Sequence, residues 1–173
     1  MSMAASQPRF EGARLVLMGV AGCGKSSVGA ALALATGLPY RDADDLHPAA
    51  NIEKMRLGEA LTDADRWPWL RQVALTLTNS GIVGCSALKR SYRDMIRKGP
   101  GGPVTFVHLS GSRAVIESRM RSRKGHFMPP SLLDSQFAAL EEPGAGESAV
   151  TVDIDQPLHA VVAEIMEKLR GSG

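Results

Sequence analysis

Short, mostly apolar segments alternate along the chain with longer segments in which apolar residues keep a helical spacing. The short segments, at residues 15–18, 38–42, 82–86, 104–109 and 150–153, are typical of parallel strands buried in a sheet. Helical spacing is clear at Leu70, Val73, Ala74 and Leu77, and again in residues 158–169. Further helices are expected at about residues 28–35, 48–56, 92–97, 112–123 and 131–140. The pattern predicts an α/β fold, a three-layer α/β/α sandwich around a five-stranded parallel sheet.

Residues 19–26, GVAGCGKS, follow the first strand and fit the pattern GxxxxGK(S/T) at every fixed position. A strand, a glycine loop and a helix form the context in which this pattern binds nucleotide phosphates. Glycines let the backbone fold around an anion, and the loop N–H groups and the helix N-terminus then face it. We expect Lys25 to reach the β- and γ-phosphates and Ser26 to bind Mg²⁺. The predicted ATP-binding residues of this loop are Gly19, Val20, Ala21, Gly22, Cys23, Gly24, Lys25 and Ser26. The alternative, a glycine-rich turn without a ligand, does not require these flanking elements.

Acidic residues follow the second predicted strand, in the order Asp42, Asp44 and Asp45. Strand periodicity places Asp42 and Asp44 on one side, and ligands of α/β sheets bind at the carboxyl ends of strands. One acid would hold Mg²⁺ through water, and the other would orient and deprotonate an attacking hydroxyl. The alternative is a solvated acidic turn, with Asp45 capping the next helix.

Basic residues recur at positions from which they could hold an anionic ligand. Arg66, placed just before a predicted helix, is suited to a bidentate pair with a carboxylate. Lys89 and Arg93, four residues apart, could serve the same ligand or form an exposed basic edge. Asn51 and Lys54 share a helix face that either contacts substrate or faces solvent.

Four cations end the fifth predicted helix, before a Gly- and Pro-containing stretch at residues 125–130. This arrangement is typical of a mobile lid, expected at about residues 119–147, that closes over phosphates. Arg119 and Arg123 share one face and are the predicted nucleotide contacts. The alternative is that the cations only complement the helix dipole.

Composition narrows the class of protein. The 173 residues form one domain, expected at residues 14–173 after a flexible tail at residues 1–13. A net charge of +2 gives no field that would favour nucleic acid, and no apolar run approaches the length of a membrane span. Two cysteines exclude a disulfide framework and favour a reducing cytoplasm. The four scattered histidines do not form a zinc motif.

Taken together, several blocks resemble the gluconate kinases, a family within the shikimate-kinase-like group of P-loop kinases. Beyond the phosphate loop these blocks are DADDLHP at residues 42–48, CSALK at 85–89, KGHF at 124–127, and the pairs Gln136-Phe137 and Leu140-Glu141. The resemblance extends from about residue 14 to residue 169. Cys23 stands where the family often has Ser, and Ala60 replaces a common Pro.

The resemblance implies transfer of the ATP γ-phosphate to the 6-hydroxyl of D-gluconate, with Mg²⁺, in the cytoplasm, by a homodimer. It implies that Asp42 lies near Mg²⁺ and that Asp44 is the base, with Lys25, Asp44 and Arg123 as the catalytic residues. Its implied substrate residues are Asp44, His47, Lys54, Arg66 and Lys89. Arg119 would lie over the adenine, Arg123 would close on the phosphates, and Asp155, Gln156 and Pro157 would line the adenine pocket.

Other functions remain open at the level of sequence. A related kinase could act on another sugar acid or on a shikimate-like acceptor. A nucleotide switch or a nucleic-acid-dependent ATPase is disfavoured because the chain has no NKxD element and its third strand does not end in Asp.

Overall fold

The computed structural model describes residues 10–122 and 130–171. Its strands are β1 (Arg14–Met18), β2 (Tyr40–Asp42), β3 (Gly81–Gly84), β4 (Thr105–Ser110) and β5 (Ala149–Asp153). Its helices are α1 (Lys25–Thr36), α2 (Ala49–Arg56), α3 (Asp63–Thr76), α4 (Arg90–Lys98), α5 (Arg113–Ser122), α6 (Pro130–Ala139) and α7 (Leu158–Gly171). A short 3₁₀ helix, Ala43–Leu46, joins β2 to α2.

The five strands form one parallel sheet in the order β2-β3-β1-β4-β5. Strand β1 is central, with Leu15 paired to Ile82 of β3 on one side and to Thr105 of β4 on the other. The chain leaves β1 toward β2 and later crosses from β3 to β4, so the strand order reverses beside β1. Ligands of open α/β sheets bind at such a point, outside the carboxyl ends of the strands.

Both faces of the sheet are buried, as the apolar character of its strands requires. Leu15 and Leu17 of β1 pack in one core with residues of α1, α5, α6 and α7. Val16 and Met18 point the other way and pack against α3 and α4. The alternation of strand side chains therefore produces two apolar layers, and the predicted three-layer α/β/α sandwich is confirmed.

Some boundaries differ from those expected. Phe10 is buried in the first core, so packing begins before residue 14, where the tail was expected to end. Helix α3 begins at Asp63, because Thr62 and Asp65 form a capping box, and it continues through Pro68. Arg66 consequently lies inside α3 and not before it. In the two described ranges, no helix combines the length and apolar character needed to cross a bilayer.

Candidate active site

The phosphate loop occupies the turn between β1 and α1, where the sequence predicted it. Gly22 and Gly24 adopt φ values of +83° and +95°, in the left-handed region that favours glycine. A Cβ at Gly22 would lie 2.7 Å from Cγ of Met120, so α5 closes tightly on the loop. The Lys25 ammonium folds back and donates to the carbonyls of Gly19, at 3.0 Å, and Val20, at 3.2 Å. The lysine is thus held at the mouth of the loop by bonds to neutral acceptors.

A cavity of about 350 Å³ lies between this loop and the carboxyl ends of β2 and β3. Its lining includes Lys25, Ser26, Asp42 and Asp44, four of the predicted site residues. The structure therefore brings the predicted phosphate ligands and the predicted acids into one space. We call it the acceptor cavity.

Asp42 and Asp44 reach this cavity by different backbone geometry from that expected. Only Asp42 belongs to β2, while Asp44 lies in the first turn of the 3₁₀ helix, so strand periodicity does not relate them. The Asp42 carboxylate caps that helix by accepting the backbone N–H of Asp44 at 2.9 Å. Pro48, and not Asp45, occupies the N-cap position of α2. The backbone N–H of Asp44 therefore fixes the position of the Asp42 carboxylate.

The surroundings of Asp44 favour its protonated form. Burial raises the pKa of this carboxyl, and the nearby Asp42 charge raises it further, while His47 and Lys25 act in the opposite direction. The side chain remains partly open to solvent, which screens these effects. A carboxylate with a raised pKa beside a phosphate loop is suited to accepting a proton.

Four further residues line the acceptor cavity that were not among the predicted site residues: Tyr40, Gly84, Ser86 and Gln136. Tyr40 is packed against Gly29 of α1 and Gly84 of β3, where an added Cβ would lie 2.2 Å and 2.3 Å from its atoms. Its hydroxyl is buried beside Ser26 but forms no well-aligned hydrogen bond with any residue of the described ranges. Gly29, three residues after the phosphate loop, and Gly84, directly before Cys85, leave the space that the Tyr40 side chain fills.

A second cavity, of about 270 Å³, lies on the opposite side of the phosphate loop and shares Gly22 and Gly24 with the first. Arg119 lines it and donates to the carbonyls of Ile154 and Gln156, the latter at 3.4 Å. Ile154 and Leu158, which flank the predicted residues Asp155 and Pro157, supply its apolar wall. Arg119 and the loop after β5 therefore meet beside the phosphate loop. We call this space the nucleotide cavity.

The predicted substrate residues other than Asp44 lie outside the lining of the acceptor cavity. His47 stacks on Trp69, with ring centroids 4.2 Å apart, and burial lowers the pKa of its imidazole. Lys54 pairs with Asp65 at 2.8 Å, which helps to lower the pKa of that carboxyl to about 2.

Arg66 and Lys89 both lie over the ring of Tyr92, at 5.5 and 5.6 Å from its centroid. Arg66 also pairs with Asp63 at 3.5 Å, and Asp63 accepts the Tyr92 hydroxyl at 2.6 Å. The Tyr92 ring therefore brings together Arg66 and Lys89, two of the substrate residues that the resemblance implies.

Arg93 has neither of the two roles weighed for it. Its side chain is fully buried and forms a bidentate ion pair with Glu147, at 2.8 and 3.1 Å. It also donates to the carbonyls of Ala87 and Leu88, next to Lys89. The expectation of a ligand contact or an exposed edge is wrong, because a carboxylate 54 residues away neutralises this cation. Arg123 lies outside the described residues.

Comparison with known proteins agrees with this geometry. No family model matches the chain. The thermoresistant gluconokinase of Escherichia coli K12 is 48% identical over 162 residues, covering 90% of this chain and 92% of the relative. The gluconokinase of Gluconobacter oxydans is 43% identical, covering 92% and 90%.

Solved structures lead to the same family. A gluconokinase from Sinorhizobium meliloti 1021 is 49% identical, with a TM-score of 0.86, and the match covers 94% of this chain and 93% of that one. The shikimate kinase of Aquifex aeolicus, 20% identical with a TM-score of 0.61 over 92% of this chain and 97% of that one, shares the fold. With the phosphate loop, the two cavities and these relatives taken together, the chain belongs to the gluconokinase family of ATP-dependent P-loop kinases.

Proposed function

We propose that this protein transfers the γ-phosphoryl group of ATP to the 6-hydroxyl of D-gluconate, giving 6-phosphogluconate and ADP. The observation that carries the proposal is the acceptor cavity, which gathers Lys25, Ser26, Asp42 and Asp44 directly beside the phosphate loop. A nucleotide bound in the nucleotide cavity, on the other side of that loop, would direct its terminal phosphate at these residues. Relatives named gluconokinase support the choice of acceptor.

In the proposed complex, the backbone N–H groups of residues 19–26 hold the phosphates. Lys25 exchanges its two carbonyl partners for phosphate oxygens and neutralises the charge that develops on the transferred group. Arg119 of α5 lies at the adenine end, in contact with the loop that contains Asp155, Gln156 and Pro157. Arg123, one turn beyond Arg119 in the sequence, is proposed to close on the phosphates.

Ser26 and Asp42 are the proposed residues for Mg²⁺. Both line the acceptor cavity, and the buried Tyr40 hydroxyl beside Ser26 is short of a partner that a hydrated ion or a phosphate oxygen would supply. Mg²⁺ in such sites keeps several waters and needs only one or two protein ligands. When bound, the ion contributes neutralisation of phosphate charge.

Asp44 is the proposed base for the acceptor hydroxyl. It would orient the hydroxyl toward the γ-phosphorus and accept its proton as the bond to phosphorus forms. Arg66 and Lys89, held around Tyr92, are proposed to bind the gluconate carboxylate. His47 lies near both groups: burial lowers its pKa, the Asp44 charge raises it and the Arg66 charge lowers it. Lys54 is the least direct of the proposed contacts, since Asp65 already pairs with it.

The proposed setting is a homodimer in the cytoplasm. Cys23 and Cys85 are both buried free thiols, which is typical of a reducing compartment. Sedimentation of the purified protein at several concentrations would test the dimer, and a single species of about 18 kDa would refute it.

The function is tested by measuring ADP release from Mg-ATP with each of several acceptors: D-gluconate, other sugar acids and shikimate. We expect turnover with D-gluconate to exceed turnover with every other acceptor. A faster reaction with shikimate or with another sugar acid would reassign the substrate, and ADP release independent of any acceptor would refute the kinase proposal.

A further inference from the structure

Gln136 of α6 makes a contact that the proposed mechanism does not use. Its side-chain oxygen accepts the backbone N–H of Ala21, in the middle of the phosphate loop, at 2.5 Å. The two residues are 115 positions apart, so the bond depends on the docking of α6. Gln136 also lines the acceptor cavity together with Lys25, Ser26 and Asp44.

The rest of this face of α6 is apolar and fixed in place. Leu133 is only 2% exposed and belongs to the same core cluster as Val20 and Cys23 of the phosphate loop. Phe137 and Leu140, four and seven residues further along, pack against that cluster. Gln136 is thus a polar residue on an otherwise apolar face, directed at the loop by its neighbours.

The bond to Ala21 has a chemical consequence for nucleotide binding. Loop N–H groups are the donors with which a phosphate cradle binds oxygen anions. The Gln136 oxygen takes one of these donors where a phosphate oxygen would be its stronger acceptor. When the phosphate takes it, the carboxamide is released within the cavity, with an NH₂ group able to donate to the same phosphate.

We propose that Gln136 is a phosphate-binding residue of the reaction. In the nucleotide-free enzyme its side-chain oxygen accepts the Ala21 N–H, and the terminal phosphate of ATP replaces it there. The Gln136 amide N–H then donates to the transferred phosphoryl group. The catalytic part rests on the proposed function. The exchange at Ala21 does not, because it concerns nucleotide alone.

Two substitutions separate the two parts. Gln136→Ala removes both the acceptor and the donor, whereas Gln136→Glu keeps an oxygen acceptor for Ala21 but replaces the donor by a negative charge. Gln72→Ala, at an exposed position of α3, is the matched control. Each full-length variant is measured for kcat with Mg-ATP and D-gluconate, for binding of Mg-ADP and of a non-hydrolysable Mg-ATP analogue by calorimetry, and for Tm.

For Gln136→Ala we expect kcat to fall about 10- to 100-fold, the effect of one lost hydrogen bond to a charged group. Its affinities for both nucleotides should stay within about threefold of wild type. The variant loses the amide donor to phosphate, but it also loses the side-chain oxygen that competes with phosphate for the Ala21 N–H. For Gln136→Glu, we expect the ATP analogue to bind at least about tenfold more weakly while Mg-ADP changes much less, because the added charge faces the terminal phosphate. Gln72→Ala should match wild type.

Wild-type kcat in Gln136→Ala would overturn the catalytic part. In Gln136→Glu, equally weakened binding of Mg-ADP and of the ATP analogue would indicate a purely structural contact and overturn the exchange. In Gln136→Ala, weakened binding of both nucleotides together with a lower Tm would lead to the same conclusion. If wild type does not phosphorylate gluconate, the proposed function fails, and the two nucleotide affinities still decide the exchange at Ala21.

Discussion

Replacement of Glu147 by Gln should destabilise the fold far more than loss of an ordinary ion pair. The Glu147 side chain is 2% exposed and receives hydrogen bonds from Arg93, which is fully buried, and from Arg97 at 2.6 Å. One carboxylate therefore neutralises a fully buried cation, Arg93, and helps to neutralise a partly exposed one, Arg97, which also pairs with Asp94. In Glu147→Gln both guanidinium groups keep their charge, and the fully buried Arg93 has no other carboxylate partner within residues 10–122 and 130–171.

Two estimates of the cost agree. Removing one partner of a buried ion pair typically costs about 3–5 kcal/mol. Independently, hydrogen bonds from Arg93 and Arg97 lower the pKa of Glu147 from 4.5 to about 2. At about 1.4 kcal/mol for each pKa unit, this corresponds to roughly 3 kcal/mol, and burial of the carboxylate opposes the shift.

The pKa also gives the pH range of this effect. Because the folded pKa lies below the unfolded one, the stabilisation is fully present above about pH 4.5 and is lost as the pH falls toward 2.

Urea unfolding at neutral pH, followed by tryptophan fluorescence, measures the free energy of unfolding directly. We expect Glu147→Gln to lose about 3 kcal/mol, and Tm to fall by about 6–12 °C. The control is Glu53→Gln, which breaks an exposed pair with Arg56 and should leave the free energy of unfolding close to that of wild type. A free energy of unfolding for Glu147→Gln that equals that of the control would refute the reasoning.

The remaining predictions concern the site and its packing. Lys25→Ala should lower kcat at least about 100-fold with an unchanged Tm, since the ammonium acts on charge that develops in the transition state; activity near wild type would contradict this. Asp44→Asn should lower kcat about 100-fold or more without loss of fold, and full activity in the purified variant would exclude Asp44 as the base. Because the pKa of Asp44 is raised, the acid limb of kcat/KM should lie above the ordinary Asp value of 3.8, and an unshifted limb would contradict that environment. Gly29→Ala, favourable by helix propensity, should instead destabilise by about 1–3 kcal/mol in urea unfolding, because its Cβ would meet the Tyr40 ring at 2.2 Å; added stability would contradict that packing.

Local patterns were sufficient to predict the sheet and the phosphate site. The apolar strands are continuous in the sequence, and residues 19–26 contain the three glycines, the lysine and the serine that determine the conformation of the loop. The expectation that Asp42 and Asp44 face the phosphate loop agrees with their place in the lining of the adjoining cavity, because a strand end determines where the following residues lie. The reason given for their common side was nevertheless wrong, since the chain leaves the strand at Asp42 and winds into a 3₁₀ turn.

Long-range contacts were beyond the reach of such patterns. Arg93 was expected to contact a ligand or to form an exposed edge, because its neutralising partner, Glu147, precedes β5 and meets it only in the folded protein. Gln136 likewise looked like one polar residue of a helix, and only the docking of Leu133 directs it at Ala21. Helical spacing indicates which residues share a face, but it does not indicate which distant element packs against that face.

The central claim is most directly tested by identifying the phosphorylated product. The protein is incubated with Mg-ATP and D-gluconate, and the product is offered to 6-phosphogluconate dehydrogenase with NADP⁺, with Lys25→Ala in a parallel reaction. We expect NADPH to form in proportion to the ADP released by wild type and to be almost absent with Lys25→Ala. ADP release without a substrate for the dehydrogenase would contradict transfer to the 6-hydroxyl of gluconate.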